Sequence, residues 1–156
     1  MTGEQLRRNV WEEMLYAQMR AQYFAELVQS YARRDKWLRV LVLVASSGAV
    51  ATGFISTGLK IVPPIVAALG SFWLLLSGYP SLQREAAELY SGWNKLGTEY
   101  ERLWNHLDAS DVENRFHSLY TRGDELSALG AKFPNNRKRL DHWLTEVSQL
   151  ATSRYA

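Results

Sequence analysis

The stretch from Val40 to Gln83 constrains the fold more than any other part of the chain, because Lys60 is its only charged residue. Lys60 separates two uncharged runs, 40–59 and 61–83. A helix of about 20 uncharged residues covers the roughly 30 Å hydrocarbon core of a bilayer. We therefore predict a transmembrane hairpin of two spans over 40–83. The alternative is a buried helix pair inside a water-soluble bundle.

Cationic residues lie mainly on one side of this predicted hairpin. The predicted turn contains only Lys60, whereas four cations precede the first run: Arg33, Arg34, Lys36 and Arg39. The positive-inside rule then places both termini in the cytoplasm and the turn outside. Trp37 and Tyr79 fall at the depth of the cytoplasmic headgroups, where aromatic side chains anchor membrane proteins.

Residues 4–39 are predicted to form one helix. Apolar residues recur there at the three- and four-residue spacing of a heptad seam: Val10, Met14, Ala17, Ala21, Phe24, Val28, Tyr31 and Leu38. No glycine or proline interrupts this range, so we expect the helix to continue into the first run without a stop. The seam packs on a neighbouring helix of the same chain or of another copy, and we favour the same chain.

A second heptad seam begins at Leu82 and extends to Leu107. Six of its members form the predicted oligomer seam: Leu82, Leu89, Trp93, Leu96, Tyr100 and Leu103. Gly92 and Gly97 interrupt this helix at a cost of about 1 kcal/mol each relative to alanine. We expect the packing of the two large aromatic side chains in the seam to offset that cost.

The remainder of the chain predicts two more helices. Ser110-x-x-Glu113 has the pattern of a capping box that opens a helix ending near Gly130. The sequence Phe133-Pro134-Asn135-Asn136 predicts a turn, and a last helix follows at about 137–153. Its first turn holds three cations that oppose the helix dipole: Arg137, Lys138 and Arg139. They are either solvated or held by a partner such as acidic lipid or a nucleotide phosphate.

The predicted fold class is therefore all-α. We expect an N-terminal cytoplasmic helix at 1–39, a transmembrane hairpin at 40–83 and a C-terminal cytoplasmic helical region at 84–156. The first helix and three C-terminal helices would form a cytoplasmic bundle. No strand pattern is present in the sequence.

Small residues gather on one side of each predicted span, as they do where membrane helices approach closely. The candidate pore-lining or helix-packing residues are Ala45, Ser46, Gly48, Ala49, Thr52, Gly53, Ser56, Thr57, Ala67, Gly70 and Ser71. They either pack the two spans together or line a path. Gly78 and Pro80 interrupt the second run and predict a hinge or a plain helix end.

Residues that carry chemistry are sparse. His106, His117 and His142 lie on three predicted helices without metal-ligand spacing, and cysteine is absent. Phosphate-binding glycine loops are also absent, and a net charge of +2 does not imply a nucleic-acid partner. We therefore expect no enzyme activity, no cofactor and no metal. The spans lack ionisable side chains, which disfavours proton-coupled transport.

The order and lengths of these elements resemble the SLATT domains, two-transmembrane effectors associated with bacterial nucleotide-signalling defence systems. The resemblance covers the basic-ended helix at 4–39, the hairpin at 40–83 and the helix from Leu82, and carries over no functional residue. It implies an effector of the bacterial inner membrane that opens a pore or disrupts the bilayer during antiviral defence. No sensor domain is evident in the sequence, so the resemblance would also imply a separate upstream sensor.

Two helices cannot enclose a pore, so conduction would require a homo-oligomer. The competing hypothesis is a membrane-anchored scaffold or adaptor that does not conduct, in which the hairpin is only an anchor.

Overall fold

The computed structural model describes the backbone of residues 2–51, 68–73 and 78–155, and the side chains of these ranges except 45–51. The described residues form helices joined by turns, without a strand, and the all-α prediction is confirmed. The helices are α1 (Gly3–Ala51), α2 (68–73), α3 (Tyr79–Trp104), α4 (Val112–Gly130) and α5 (Arg137–Tyr155).

The chain divides into two compact units. The bundle unit comprises Met1–Glu26 and Ala86–Ala156, and the middle unit comprises Leu27–Glu85. The predicted hairpin at 40–83 falls within the middle unit. Within the described ranges, no helix is both long enough and apolar enough to cross a bilayer. Residues 52–67 and 74–77, on which the hairpin prediction largely depends, lie outside those ranges, so the two-span hairpin gains no support and stays a prediction.

Helix α1 begins after a capping box that the sequence contains at Thr2-x-x-Gln5. The backbone N–H of Gln5 donates to Thr2 Oγ1 at 3.4 Å, and the backbone N–H of Thr2 donates to Gln5 Oε1 at 3.3 Å. These reciprocal bonds satisfy N–H groups that have no partner inside the helix. From there α1 continues through residues 39 and 40 to Ala51, which confirms the prediction of an uninterrupted helix.

The core of the bundle unit consists of the two predicted heptad seams together with the inner sides of α4 and α5. Its buried apolar and aromatic side chains are Val10, Met14, Ala17, Met19, Ala21, Tyr23 and Phe24 from α1; Ala86, Leu89, Trp93, Leu96, Tyr100 and Leu103 from α3; Val112 and Phe116 from α4; Phe133; and Val147 and Ala151 from α5. The preferred interpretation of the α1 seam, packing within the same chain, is confirmed over this part of the helix.

Gly92 and Gly97 lie where α3 approaches other helices closely. A Cβ placed at Gly92 would be 2.7 Å from Cδ2 of Leu126 on α4, and one at Gly97 would be 3.3 Å from Cγ of Gln18 on α1. The two glycines thus let α3 approach α4 and α1 more closely than a larger residue would allow. The predicted packing of Trp93 also holds, because this side chain is only 1% exposed. Close approach, in addition to aromatic packing, compensates for the poor helix propensity of glycine.

The predicted capping box at Ser110-x-x-Glu113 is wrong. Helix α4 begins at Val112 with Asp111 as its N-cap residue, and no side chain caps it. Before it, the backbone N–H of Ala109 donates to His106 O at 3.3 Å and that of Val112 donates to Ala109 O at 3.4 Å. These tight turns, together with the burial of Val112 in the core, shift the helix start one residue past the cap position that the sequence pattern predicts.

The connection between α4 and α5 is the predicted turn, and Tyr23 of α1 holds it in place. The Tyr23 hydroxyl donates to the carbonyl of Pro134 and accepts a hydrogen bond from the backbone N–H of Asn136 at 3.3 Å. Asn136 Oδ1 in turn accepts from the backbone N–H of Arg139 at 3.3 Å, so Asn136 caps α5. Helix α5 follows from Arg137 to Tyr155, two residues longer than predicted.

One of the three cations at the start of α5 has an intramolecular partner. Arg139 Nη1 lies 3.2 Å from Glu26 Oε1 of α1, and Glu26 Oε2 also accepts a hydrogen bond from Trp143 Nε1 at 3.0 Å. Arg137 and Lys138 are exposed. The carboxylate of Glu26 therefore offsets part of the unfavourable interaction between these cations and the helix dipole.

Candidate functional site

The middle unit carries many large apolar side chains that are exposed. Here they are called the apolar surface: Trp37, Val40, Leu41, Leu43, Val44, Leu69, Phe72 and Trp73. Eight of the thirteen exposed large hydrophobic side chains among the described residues belong to this set. Trp37 and Trp73 are 68% and 59% exposed. A concentration of this kind indicates a surface that contacts a partner or a membrane.

The small residue Gly70 of α2 lies against α1, next to part of this surface. A Cβ placed at Gly70 would be 3.0 Å from Val42 Cγ2, so the two helices approach closely here. An apolar groove of about 370 Å³ adjoins this contact, with Leu38, Leu41 and Trp73 among its lining residues. Gly70 thus lies where two helices of the middle unit approach closely. Its predicted role between two membrane spans stays a prediction.

The other predicted pore-lining residues are not brought together by the described part of the chain. Ser71 is exposed on α2. Ala45, Ser46, Gly48 and Ala49 lie on α1, but their side chains are outside the described set. Thr52, Gly53, Ser56, Thr57 and Ala67 lie outside the described residues altogether. A path lined by these residues stays a prediction.

Four cationic side chains lie on α1 where the apolar surface begins. Arg33, Arg34, Lys36 and Arg39 are all exposed. Arg39 Nε pairs with Asp35 Oδ2 at 2.8 Å, and Arg33 Nε donates to the carbonyl of Gln29 at 3.4 Å. One carboxylate accompanies four cations here, so this segment of α1 is strongly basic where its exposed side chains change from charged to apolar.

Gly78 directly precedes α3, at the point where the sequence predicts a hinge or a helix end. Its φ is 57°, in the left-handed region that glycine adopts readily, and α3 begins at the next residue. Its carbonyl accepts hydrogen bonds from Ser81 Oγ at 2.7 Å and from the backbone N–H of Leu82 at 3.1 Å. Pro80 occupies the first turn of α3, where its missing N–H is not needed. The structure therefore has a helix start at this point. A hinge motion about Gly78 and Pro80 stays a prediction.

The predicted oligomer seam on α3 is used inside the chain. Leu89, Trp93, Leu96, Tyr100 and Leu103 are all buried in the bundle unit, and Leu82 is half-buried in the middle unit. A side chain already packed in one chain cannot also line a contact between copies in the same conformation. The heptad periodicity here is accounted for by intramolecular packing, because three other helices of the bundle unit cover this side of α3.

The interior of the bundle unit contains two polar groups without a hydrogen bond among the described residues, Trp93 Nε1 and the Tyr100 hydroxyl. Burial, the carboxylate of Glu13 and the nearby groups Tyr120 and Asp124 all raise the pKa of Tyr100. Burial also raises the pKa of Glu13, with further contributions from Asp124 and Glu12. Where α1, α3 and α4 meet, the negatively charged forms of Glu13 and Tyr100 are therefore disfavoured.

The three histidines lie apart and exposed, on α4, on α5 and just after α3. His106 Nδ1 lies 2.9 Å from the carbonyl of Arg102, whereas His117 and His142 stand next to aromatic rings. Within the described ranges, no three His, Cys, Asp or Glu side chains are grouped closely enough to hold a metal ion.

An aromatic cleft in the bundle unit was not predicted from the sequence. Trp11 of α1, Trp104 of α3 and Tyr155 of α5 meet there, with ring centroids 5.1 Å apart for Trp11–Trp104, 5.7 Å for Trp11–Tyr155 and 6.4 Å for Trp104–Tyr155. The cleft has a volume of about 710 Å³, and Arg7 and Arg8 also line it. These aromatic residues are far apart in sequence, and the only sequence signal was the position of Trp104 next to the α3 seam.

No protein-family model matches the chain, and no curated protein or solved structure matches it either. The resemblance to the SLATT domains stays an expectation from the sequence. Function therefore has to be inferred from the apolar surface, the basic segment before it and the bundle unit.

Proposed function

We propose that the chain is a membrane effector that acts as a homo-oligomer and forms or gates a pore, or disrupts the bilayer, through its middle unit. The observation that carries this proposal is the apolar surface. Large apolar side chains exposed to water are unfavourable by about 25 cal/mol per Å² of apolar area. A bilayer removes that cost without any second protein.

The basic segment on α1 supports membrane binding with a defined orientation. Exposed Arg33, Arg34 and Lys36 lie within one helical turn of Trp37, where the apolar surface begins. Cations beside an apolar surface are attracted to the anionic cytoplasmic leaflet by about 1 kcal/mol each. In this proposal the protein resides in the bacterial inner membrane with both termini in the cytoplasm.

The two uncharged runs 40–59 and 61–83 supply enough length for two spans. Two spans per chain cannot surround a pore, so copies must assemble, and the α3 seam is already buried in each chain. We propose that assembly occurs through the middle unit instead, where small residues such as Ala49 and Gly53 would let helices approach closely. The Gly78 interruption would relay a change from the bundle unit to the spans.

A role in antiviral defence, with an upstream sensor protein as partner, rests on the resemblance to the SLATT domains. An effector that permeabilises the inner membrane would kill the infected cell. The bundle unit would then receive the signal from the sensor, since it is the larger folded part outside the predicted membrane region.

Leakage of vesicles tests the pore. The purified chain is reconstituted into vesicles of anionic and zwitterionic lipid that contain a self-quenching dye, and dye release is followed with time. We expect release that rises steeply with protein concentration, because several copies are needed. The variant Ala49→Leu with Gly53→Leu should lose release while still floating with the vesicles. Tight vesicles with fully inserted protein under every condition would rule out permeabilisation.

A membrane-anchored scaffold or adaptor is the second candidate. It is favoured by the burial of the α3 seam within one chain, because each copy is then complete without assembly. Replacing 40–83 by an unrelated two-span anchor separates the two candidates. An adaptor keeps its cellular activity after this exchange, whereas a pore-forming effector loses it.

A further inference from the structure

The aromatic cleft of the bundle unit is built differently from the apolar surface and is not part of the proposed membrane contact. Its volume of about 710 Å³ falls within the roughly 300–1,000 Å³ of small-molecule sites. Its three large rings are only half-buried, although they contact one another. A packed core would have covered these rings, so their remaining surface is available to a ligand.

The rings form walls and do not stack on each other. The interplanar angles are 48° for Trp11–Trp104, 86° for Trp11–Tyr155 and 69° for Trp104–Tyr155. None of the three pairs is parallel, so no ring covers the whole face of another. Flat aromatic ligands bind to such walls by offset or edge-to-face contacts.

Tyr155 is fixed before any ligand arrives. Its hydroxyl donates to Glu101 Oε1 at 2.6 Å, and Arg154 Nη1 lies 3.1 Å from the same oxygen. This anchoring means that the ring does not have to be ordered on binding, which removes one entropic cost of forming the complex.

Arg7 is the cation of the cleft that has no carboxylate partner among the described residues. Its guanidinium lies over the ring of Trp104, 5.1 Å from the centroid, and it pairs with no carboxylate in those ranges. Stacking occupies the flat side of a guanidinium and leaves the in-plane N–H groups free to bind an oxyanion. Arg8, by contrast, is already paired with Glu12 at 3.0 Å.

The charged groups around the cleft favour a ligand with one negative charge. One unpaired guanidinium is available, whereas Glu4 lines the cleft and Glu101 lies behind Tyr155. A ligand with several negative charges would meet these carboxylates without further cations to offset them. We infer that the aromatic cleft binds a small planar aromatic monocarboxylate, with its ring against Trp11 and Tyr155 and its carboxylate on Arg7.

Isothermal titration calorimetry on the full chain in detergent micelles tests this inference, with indole-3-acetate as the probe. Titration with indole alone measures the contribution of the ring, and titration with acetate alone measures that of the carboxylate. Titration into protein-free micelles corrects for partitioning of the probes into detergent. We expect indole-3-acetate to bind at least about tenfold more tightly than either fragment, because charged hydrogen bonds add to stacking. Absence of heat at millimolar indole-3-acetate would overturn the inference, as would equal affinity for indole.

Variants locate the site. Arg7→Gln should weaken indole-3-acetate binding about tenfold, and Arg7→Lys should fall between it and the parent chain because the charge is kept without the planar fork. Trp11→Leu should weaken the binding of indole-3-acetate and of indole alike. Arg115→Gln, an exposed change on α4 outside the cleft, is the matched control and should leave affinity unchanged.

Far-UV circular dichroism checks that each variant keeps the helical content of the parent chain. Full affinity in a folded Arg7→Gln variant would place the anion elsewhere and overturn the inference. Binding is measured without vesicles, so its outcome is independent of the leakage experiment, and either proposal can fail alone.

Discussion

In the bundle unit the large apolar side chains of α1 and α3 lie in a common core, whereas in the middle unit most of the large apolar side chains of α1 and α2 are exposed. The same continuous helix α1 takes part in both units. Phe24 is buried and Leu43 is exposed on it, nineteen residues apart in sequence. The difference teaches that apolar residues on one helix can meet different surroundings along its length.

The physical reason is the number of helices available to cover α1. Over Val10 to Phe24, three other helices of the bundle unit supply apolar side chains, so the inward-facing side chains of α1 are buried. In the middle unit the described residues supply only the short α2 and the start of α3. A long helix covered on one side leaves its other side to solvent, lipid or a second copy.

The largest difference between the two units is expected when one tryptophan from each is replaced by alanine. Trp93→Ala should lower the free energy of unfolding by about 3–5 kcal/mol, because its side chain is fully enclosed in the bundle core. Trp73→Ala should change it by less than about 0.5 kcal/mol, because that ring is exposed. Urea titration followed by far-UV circular dichroism in detergent measures both. Similar losses from the two variants would show that the units do not differ as described.

A pair of glycines gives a smaller effect. Gly97→Leu should destabilise the bundle unit by about 1–3 kcal/mol, because the added atoms would overlap Gln18 of α1. Gly70→Leu adds the same atoms next to Val42 in the middle unit, and should leave the urea transition of the bundle unit unchanged. Thr98→Leu is the control on the exposed side of α3. A loss in Gly70→Leu equal to that in Gly97→Leu would contradict this separation.

The left-handed backbone at Gly78 predicts an effect of about 1 kcal/mol. Gly78→Ala should weaken the start of α3 by that amount, because a Cβ is strained at positive φ. Pro80→Ala is the control and should cost less, since proline is tolerated in the first turn of a helix. Hydrogen exchange of the backbone amides at the start of α3 measures the local opening. Unchanged exchange in Gly78→Ala would mean that the backbone there is not left-handed.

The pH dependence of Glu13 gives the smallest effect. Because burial and neighbouring carboxylates raise its pKa in the folded chain, the folded state holds this proton more tightly than the unfolded state. Its stabilising contribution is present below the unfolded pKa and is lost as the pH rises through the folded pKa. Glu13→Gln should therefore be more stable than the parent chain at pH 7, by less than about 1 kcal/mol for a half-exposed group.

Thermal unfolding at pH 4 and pH 7 measures that difference, which should shrink at the lower pH. Glu146→Gln is the control, since this exposed carboxylate on α5 is not among the groups that raise the pKa of Glu13. A parent chain that gains stability relative to Glu13→Gln as the pH rises would mean that the carboxylate is stabilised by the fold.

Much of the fold could be predicted because it depends on short-range patterns. The heptad spacing of Val10 to Phe24 and of Leu89 to Leu103 marks the buried sides of α1 and α3, and the absence of glycine and proline over 4–39 predicts a continuous helix. The turn at 133–136 is also encoded locally. The start of α4 was mispredicted, because burial of Val112 prevailed over the capping pattern at Ser110.

The amino-acid sequence by itself determined the helices, their apolar sides and the concentration of uncharged residues at 40–83, since these follow from periodicity and composition. Only the tertiary structure decided which partners those sides have. It assigned the α3 seam to the chain's own core, and it placed Arg139 on Glu26 and Arg7 over Trp104. These contacts join residues distant in sequence, and periodicity along one helix carries no information about which distant surface packs against it.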